Sequence, residues 1–296
     1  MSRLNQLNRI KAMVFEGGGA LGPAHVGAVE RFAGILPNVK NFAGSSSGSI
    51  MAMALACGAP LESVRNAMLS IDFNLLLDNG EGCKGMARTV TKWGWYEGSY
   101  ITRWVDDFIA TTPMGKKDMT FNELFQRTGN ELVITTVSIN MNRVVYCSKD
   151  TTPDMPIKIA VRRSVGLPLV FQPDVEDGDR YIDGGTLDNY PIRVFDYKLD
   201  HDEVIGFKLL NSPGENQDER PVIHPPRSLA EYTYRVLAML LVKSNSVHID
   251  DEDWQRSVKI KCGRYGSLDF DITRDDKEVL MEYGRAAADV FLTRYE

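Results

Sequence analysis

The sequence predicts an α/β protein built on a parallel sheet, and three observations support this. Short apolar runs indicate buried strands, glycine- or serine-rich turns follow them, and apolar stretches with helical spacing come next. This strand–turn–helix order occurs twice between Ala12 and Gly58, the alternation expected of parallel strands joined by crossover helices. The 296 residues, 43% of them hydrophobic, are enough for one large domain or two small ones with an ample core.

The two amino-terminal units supply the clearest pattern. A buried strand is expected in "AMVFEGGG", and residues 22–35 have the spacing of a helix with apolar side chains on one side. A second strand is expected at Lys40–Ala43. Residues 49–58 are almost uniformly apolar, which indicates a helix buried on all sides, and Pro60 begins another helix.

The rest of the chain continues with strands and helices, apart from one region of weak pattern. The stretch Asp72–Gly98 is rich in glycine, tryptophan and polar residues, and we interpret it as a surface excursion or lid. The remaining predicted elements are a strand pair at Leu132–Asn140 and 143–149, a helix at 156–165, strands at 180–185 and 203–210, a helix at Arg227–Ser244, a strand at 257–263 and a final amphipathic helix at Asp275–Glu296.

Composition narrows the possible partners and compartments. The net charge is −6 with no basic run or stripe, so nucleic acid is not an expected partner. The amino-terminal stretch lacks the apolar segment of a signal peptide, and no apolar run is long enough to span a bilayer, so a cytoplasmic protein is expected. The cysteines lack metal-type spacing and are expected to be buried free thiols: Cys57, Cys83, Cys147 and Cys262.

The first glycine turn has two functional interpretations. Gly17, Gly19 and Gly22 satisfy G-x-G-x-x-G after a strand and before a helix, which is the context of a dinucleotide-binding turn. That interpretation also requires an acidic residue about 20 positions later, at the end of the second strand, and residues 37–47 contain none. The alternative is a loop whose N–H groups stabilise a charge that arises during a reaction. A purely structural turn explains one or two glycines more easily than three in a row.

The second turn, "GSSSG", matches G-x-S-x-G with Ser46 at its centre, between Gly44 and Gly48. A nucleophile on such a strand-to-helix turn is held exposed, and the positive end of the following helix stabilises negative charge there. The alternative is a serine-rich helix cap. The spacing favours Ser46 over its neighbours Ser45 and Ser47.

A nucleophilic serine needs a base, and an aspartate is the best candidate. Asp183 follows an apolar strand and precedes two glycines, and could take the proton from Ser46 directly if it lies within hydrogen-bond reach in a partly dry pocket. The alternative is an ordinary Asp-Gly turn. No histidine lies in a sharp motif, although His201 fits the chain order of a Ser–Asp–His triad best, and all are interpreted as solvated or incidental: His25, His201, His224 and His248.

Three elements in this order, "EGGGALG", "GSSSG" and "DGGTLDNYP", resemble the patatin-like phospholipase family. Two further stretches agree with that resemblance. "GWYEGSYITRWVDDFI" is similar to the family's segment in which a Gly-aromatic-Gly stretch leads into a helix. "AVRRSVGLPLVFQP" is similar to its Ser-x-x-x-Pro-x-x-Phe stretch before the aspartate.

The resemblance implies a catalytic site made of a Ser–Asp dyad without histidine. By position, Ser46 would be the nucleophile, Asp183 the base, and the loop Gly17, Gly18 and Gly19 the oxyanion hole. No metal or other cofactor is implied. The glycines that support these motifs are Gly22, Gly44, Gly48, Gly184 and Gly185.

The resemblance also implies a three-layer α/β/α fold with a mainly parallel central sheet, and hydrolysis of acyl esters of glycerolipids. It covers about 11–208, and we expect 209–296 to complete a single domain spanning 1–296. The expected partner is a phospholipid or other acyl-ester lipid, with peripheral membrane contact. Part of that contact, or of an acyl-binding surface, is expected at aromatic side chains for which ordinary packing is an equal alternative: Trp93, Trp95, Tyr96 and Tyr100.

One residue departs from the family pattern. Leu21 stands where the family usually carries Lys or Arg, two residues after the triple glycine. The backbone donors of the loop are unaffected by this change, so oxyanion binding is expected to survive. The alternatives to hydrolysis are an acyltransferase or transacylase with the same dyad, a non-catalytic lipid-binding protein, which only Leu21 supports, and the disfavoured nucleotide-binding enzyme.

Overall fold

The computed structural model describes residues 7–76, 82–210, 232, 236, 249–267 and 269–295. The helix expected at Arg227–Ser244 lies outside these residues except for Tyr232 and Val236, and His224 and His248 also lie outside them.

Strands form where the sequence has short apolar runs, and several are buried on both faces. The four residues of the first strand, for example, are all buried. The strands are β1 (Ala12–Phe15), β2 (Asn41–Ser45), β3 (Gly94–Tyr96), β4 (Glu131–Ser138), β5 (Arg143–Cys147), β6 (Leu169–Phe171), β7 (Asp174–Glu176), β8 (Asp179–Asp183), β9 (Val204–Leu210) and β10 (Ser257–Lys261).

Within the described residues, the main sheet has eight strands in the order β10-β9-β1-β2-β4-β8-β7, with β5 also paired to β4. The pairs from β10 to β4 along this order are parallel. β5 and β8 are antiparallel to β4, and β7 is antiparallel to β8. The prediction of an α/β fold with a mainly parallel sheet is confirmed. A separate two-stranded sheet joins β3 and β6.

The ends of β2 and β8 meet along one edge of β4, and this meeting point positions the site. β4 pairs with β5 along one edge and with β2 along the other. β8 pairs with the last part of β4, and because β5 already occupies the opposite edge there, β8 lies on the edge that β2 leaves. Ser45 lies beside Thr135 and Asp183 beside Thr136, so the two strands end head to head. Asp183 therefore ends an antiparallel strand, whereas a sheet built only of parallel strands would place it at the end of a parallel one.

Helices cover one face of the sheet around the larger of two apolar clusters. The helix after β2 is apolar on every side and its residues are almost all buried, as predicted. The helices are α1 (Pro23–Glu30), α2 (Ser47–Ala56), α3 (Leu61–Ser70), α4 (Phe73–Leu76), α5 (Gly82–Lys92), α6 (Ser99–Thr111), α7 (Phe121–Thr128), α8 (Ile157–Ser164), α9 (Asp251–Gln255) and α10 (Arg274–Leu292).

The opposite face of the sheet carries a second apolar cluster. Val14, Ala43 and Val133 from the strands pack there with Tyr190 and Phe195, which lie in the segment between β8 and β9. Among the helices that the structure describes, none combines the length and the apolar content needed to cross a bilayer.

The stretch interpreted as a surface excursion, Asp72–Gly98, is more regular than its composition indicated. Its described part contains α4, α5 and β3. Arg162 of α8 links this stretch to the rest of the structure. Its guanidinium Nη2 donates to the Glu97 and Gln172 carbonyls, both at 2.8 Å. These are long-range contacts, which a local composition pattern does not reveal. Cys57, Cys147 and Cys262 are buried free thiols, as expected, and the side chain of Cys83 lies outside the described residues.

The carboxy-terminal residues are joined to this framework by β10, at the sheet edge, and by α10, which packs on α1. Glycines make that packing close. A Cβ at Gly27 of α1 would lie 1.9 Å from the Met281 carbonyl oxygen, and one at Gly284 of α10 would lie 2.0 Å from the Ala24 carbonyl oxygen. On these contacts we propose that residues 209–296 complete a single domain with the rest of the chain.

The substitution Gly27→Ala tests this proposal. It is expected to lower the free energy of unfolding by about 1–3 kcal/mol, because the new methyl group forces α1 and α10 apart. Gly34→Ala is the matched control, since a Cβ there meets no atom within 4 Å. Denaturant titration of both variants gives the comparison. Equal effects would show that the α1–α10 contact does not support the fold.

Candidate active site

Ser46 lies between β2 and α2 in a conformation that few non-glycine residues adopt, with φ 49° and ψ −127°. Such strain costs on the order of 1–3 kcal/mol and persists only where the surroundings enforce it. The turn is also crowded, because a Cβ at Gly44 would lie 2.3 Å from the Gly48 carbonyl oxygen. α2 begins at Ser47, so the positive end of its dipole faces Ser46. This is the strand–turn–helix geometry predicted from "GSSSG".

The carboxyl end of α8 holds both strand ends in place. The Ser46 N–H donates to Ser164 Oγ at 2.9 Å, and the Asp183 N–H donates to the Gly166 carbonyl at 3.0 Å. Ser164 is fully buried. Ser164 and Gly166 lie in the stretch "AVRRSVGLPLVFQP", and their role here was not predicted from the sequence. The only signal was their position in that stretch, because the contact with Ser46 spans 118 residues.

Ser46 and Asp183 form a hydrogen-bonded pair. The Ser46 hydroxyl donates to Asp183 Oδ2 at 2.9 Å, and the other carboxylate oxygen, Oδ1, accepts the Gly185 N–H at 2.7 Å. Asp183 is 2% exposed. Burial raises the pKa of Asp183 to about 7, and the bonds from Gly185 and Ser46 act in the opposite direction. A carboxylate with that pKa can accept a proton from a hydroxyl near neutral pH far better than an exposed one.

Neither of the two histidines that the structure describes bonds to Ser46. His201 is half-exposed and lies beside Asp196 and Glu252. His25 is fully buried in α1, so of the interpretation that it is solvated or incidental, the solvated half was wrong. Burial lowers the pKa of His25 to about 4, so the ring is neutral and its Nε2–H donates to the Glu16 carbonyl at 2.8 Å.

The glycine loop lies beside the serine. A Cβ at Gly17 would be 2.9 Å from Ser46 Cβ. The Gly17 N–H donates to the Asn189 carbonyl at 2.9 Å, and the Gly18 N–H donates to Ser47 Oγ at 2.9 Å. In the part of the chain that the structure describes, the Gly19 N–H has no hydrogen-bond partner. The structure thus brings together the three motifs "EGGGALG", "GSSSG" and "DGGTLDNYP".

A buried ion pair and an apolar side chain also lie near the loop. The Glu16 carboxylate pairs with the Lys208 ammonium, and its Oε2 accepts the Leu209 N–H at 2.7 Å. Leu21 packs into the larger core cluster at 2% exposure. Among the described residues, no group of three or more His, Cys, Asp or Glu side chains is arranged to hold a metal ion.

Known proteins resemble this chain in sequence and in fold. The sequence profile named Patatin-like phospholipase matches residues 13–196. Protein R571 of Acanthamoeba polyphaga mimivirus is 30% identical over 281 residues, 94% of this chain and 92% of the viral protein. "Probable lipid hydrolase 463L" of Invertebrate iridescent virus 6 is 27% identical over 184 residues, 62% of each chain. VipD from Legionella pneumophila shares the fold, with a TM-score of 0.64 at 17% identity over 97% of this chain and 67% of VipD.

Proposed function

Because the chain belongs to the patatin-like phospholipase family, we propose that it cleaves fatty-acyl esters of lipids with Ser46 as nucleophile and Asp183 as base. Family membership makes it a lipid acyl hydrolase in general terms. The catalytic pair and the phospholipase A or lysophospholipase type of substrate are the proposal. The observation that carries it is the 2.9 Å bond between Ser46 Oγ and Asp183 Oδ2 in a strained, crowded turn.

The first half of the reaction forms an acyl-enzyme. Ser46 Oγ attacks the ester carbonyl carbon while its proton passes to Asp183 Oδ2. The carbonyl oxygen becomes an oxyanion. When the tetrahedral intermediate collapses, the bond to the alcohol oxygen breaks, and the proton on Asp183 passes to the departing alcohol. In the second half, Asp183 takes a proton from water, the hydroxide attacks the acyl carbon, and the fatty acid leaves as Ser46 regains its proton.

The oxyanion is proposed to bind at the Gly17–Gly19 loop. The Gly19 N–H is the donor that has no partner among the described residues. The Gly18 N–H becomes available when it exchanges Ser47 Oγ for the oxyanion. The Gly17 N–H is held by Asn189, so its contribution in the resting structure is to anchor the loop. Such preorganised donors stabilise charge only as it develops, which is where they accelerate the reaction.

Peripheral membrane contact is proposed for an exposed apolar surface made of Trp93, Ile139 and Val175. Trp93 is 47% exposed, and the Arg180 guanidinium stacks on it at 3.7 Å. Val175 pairs with Arg180 across β7 and β8, and the Ile139 N–H donates to the Arg180 carbonyl at 2.9 Å. Indole and guanidinium groups suit the boundary between lipid headgroups and acyl chains. Tyr96, in contrast, packs on the core, as its alternative interpretation had it.

Turnover of soluble and vesicle-bound esters tests these proposals together. The wild type is expected to hydrolyse a short-chain p-nitrophenyl ester and phospholipids in vesicles, with free fatty acid as the product. Acylated product on an added lysophospholipid acceptor would instead indicate a transacylase, and an inert wild type would contradict the enzyme class. Trp93→Ala is expected to slow only vesicle hydrolysis, and Val290→Ala, on the exposed side of α10, to slow neither. Equal losses on both substrates would rule out the proposed contact surface.

A further inference from the structure

Asn189 contacts the glycine loop with both its backbone and its side chain. Its carbonyl oxygen accepts the Gly17 N–H, and its Nδ2 donates to the Gly17 carbonyl, each at 2.9 Å. One residue therefore binds both polar backbone groups of Gly17. A Cβ at Gly17 would lie 2.2 Å from Asn189 Oδ1 and 2.9 Å from Ser46 Cβ, so the loop fills the space between Asn189 and the serine.

The buried ion pair between Glu16 and Lys208 orients the Asn189 amide. Asn189 Nδ2 lies 3.4 Å from Glu16 Oε1, which also faces the Lys208 ammonium. Glu16 and Lys208 are 5% and 6% exposed. Removing one partner of such a pair leaves a buried charge unpaired, so neither side chain moves away readily. The amide nitrogen is thus directed at two fixed acceptors, the Gly17 carbonyl and the Glu16 carboxylate.

Asn189 also lies against the turn that carries the aspartate. The Gly185 N–H donates to Asp183 Oδ1 at 2.7 Å. A Cβ at Gly185 would lie 2.6 Å from Asn189 Oδ1 and 3.0 Å from Asp183 Oδ1, so no larger residue fits between them. A single amide side chain therefore packs against both the glycine loop and the turn of the base.

We propose that Asn189 is a positioning residue, which fixes the glycine loop at a set distance from Ser46 and Asp183. This inference rests on the proposed function, because the loop distance matters only if the loop stabilises an oxyanion. With Gly17 anchored, the loop has one conformation before substrate binds. The transition state then gains its hydrogen bonds without the cost of ordering the loop. Asn189 acts through the loop and does not touch the substrate.

The variant Asn189→Ala removes the amide and keeps the backbone carbonyl. We expect kcat for a soluble p-nitrophenyl ester to fall about 10- to 100-fold with little change in KM, since a displacement of about 1 Å can cost about 100-fold. Inhibition by a trifluoromethyl ketone analogue, which forms a hemiketal oxyanion with Ser46, should weaken by the same factor as kcat/KM. The pH midpoint of the rate should not move, because Asp183 keeps its contacts.

Two further variants make the result decisive. Asn189→Asp keeps the side-chain shape but places an acceptor against the Gly17 carbonyl, so it should show the same losses if the alanine variant does not fold. Asn130→Ala is the matched control, because Asn130 Nδ2 donates to the Ala56 carbonyl at 2.9 Å, at the end of α2 that is about 15 Å from Ser46. All rates are taken per active site, counted after complete fluorophosphonate labelling.

The Asn189 variants are expected to lose kcat and analogue affinity in parallel. Asn130→Ala is expected to lose neither. Wild-type kcat per site in the Asn189 variants would overturn the proposal. A fall in kcat with unchanged analogue inhibition would also overturn it, because the loop would then not be the group affected. A wild type that neither turns over esters nor reacts with the label would instead overturn the proposed function.

Discussion

Replacing Ser46 with alanine is expected to lower ester turnover at least about 10⁴-fold, the scale seen when a serine hydrolase loses its nucleophile. The reason is that no acyl-enzyme can form, while the fold around the turn stays intact. The Ser46 N–H bond to Ser164 Oγ and the packing of α2 do not involve the hydroxyl that is removed. The measurement is turnover of a soluble ester together with covalent labelling by a fluorophosphonate, followed by mass spectrometry.

The neighbouring serine provides the control for this experiment. Ser45 Oγ is buried and has no hydrogen-bond partner in the described structure. Ser45→Ala should therefore keep both turnover and the label, whereas Ser46→Ala should lose both. A Ser46→Ala variant that is still labelled and active would show that another residue is the nucleophile, and the head-to-head arrangement of β2 and β8 would then have no catalytic meaning.

Local sequence patterns predicted the elements that form the site. The short apolar run before "GSSSG" and the uniformly apolar stretch after it are local properties of the sequence, and the structure has β2, the turn and α2 in that order. The strand that carries Asp183 was predicted for the same reason. Its direction was not, because pairing with β4 is a long-range choice that the pattern of β8 does not encode.

The contacts that hold the site were not predictable in the same way. Ser164 reaches Ser46 across 118 residues, and Lys208 reaches Glu16 across 192 residues. A serine, a lysine and an asparagine at such positions look like ordinary polar residues in sequence. The burial of His25 was not predictable either, because the sequence does not show that α1 is buried on nearly every side, between the sheet and α10.

Replacing Asp183 with asparagine is expected to lower turnover about 10⁴-fold, since an amide cannot accept the proton of Ser46. The wild-type rate should carry the signature of this base. Asp183 has a pKa of about 7, so below pH 7 most of it is protonated and cannot act. We expect kcat/KM to rise about tenfold per pH unit up to about pH 7 and then to level off. A rate that is flat from pH 5 to pH 8 would exclude Asp183 as the base.

The same substitution should stabilise the fold, in a way that depends on pH. Burial raises the pKa of Asp183 from 3.8, the value expected in the unfolded chain, to about 7. Between these values the folded state binds more protons than the unfolded state, so the free energy of unfolding of the wild type falls as pH rises. The full loss is on the order of 4 kcal/mol and is complete above pH 7. The amide of the Asp183→Asn variant carries no charge, so the variant escapes this loss.

In denaturant titrations, the difference in the free energy of unfolding between Asp183→Asn and the wild type should therefore grow by about 1.4 kcal/mol per pH unit from pH 5.5 to pH 7. Above pH 7 the difference should stay constant. Asp276→Asn is the control, because bonds from Thr273 lower the pKa of Asp276 to about 2. The carboxyl is therefore ionised throughout this pH range, and the change in the free energy of unfolding caused by Asp276→Asn should not vary with pH. An Asp183→Asn effect as flat as that of Asp276→Asn would show that the carboxyl does not titrate near pH 7. A variant that is more stable and inactive would place the buried carboxylate among the groups that a folded enzyme retains for its reaction at a cost in stability.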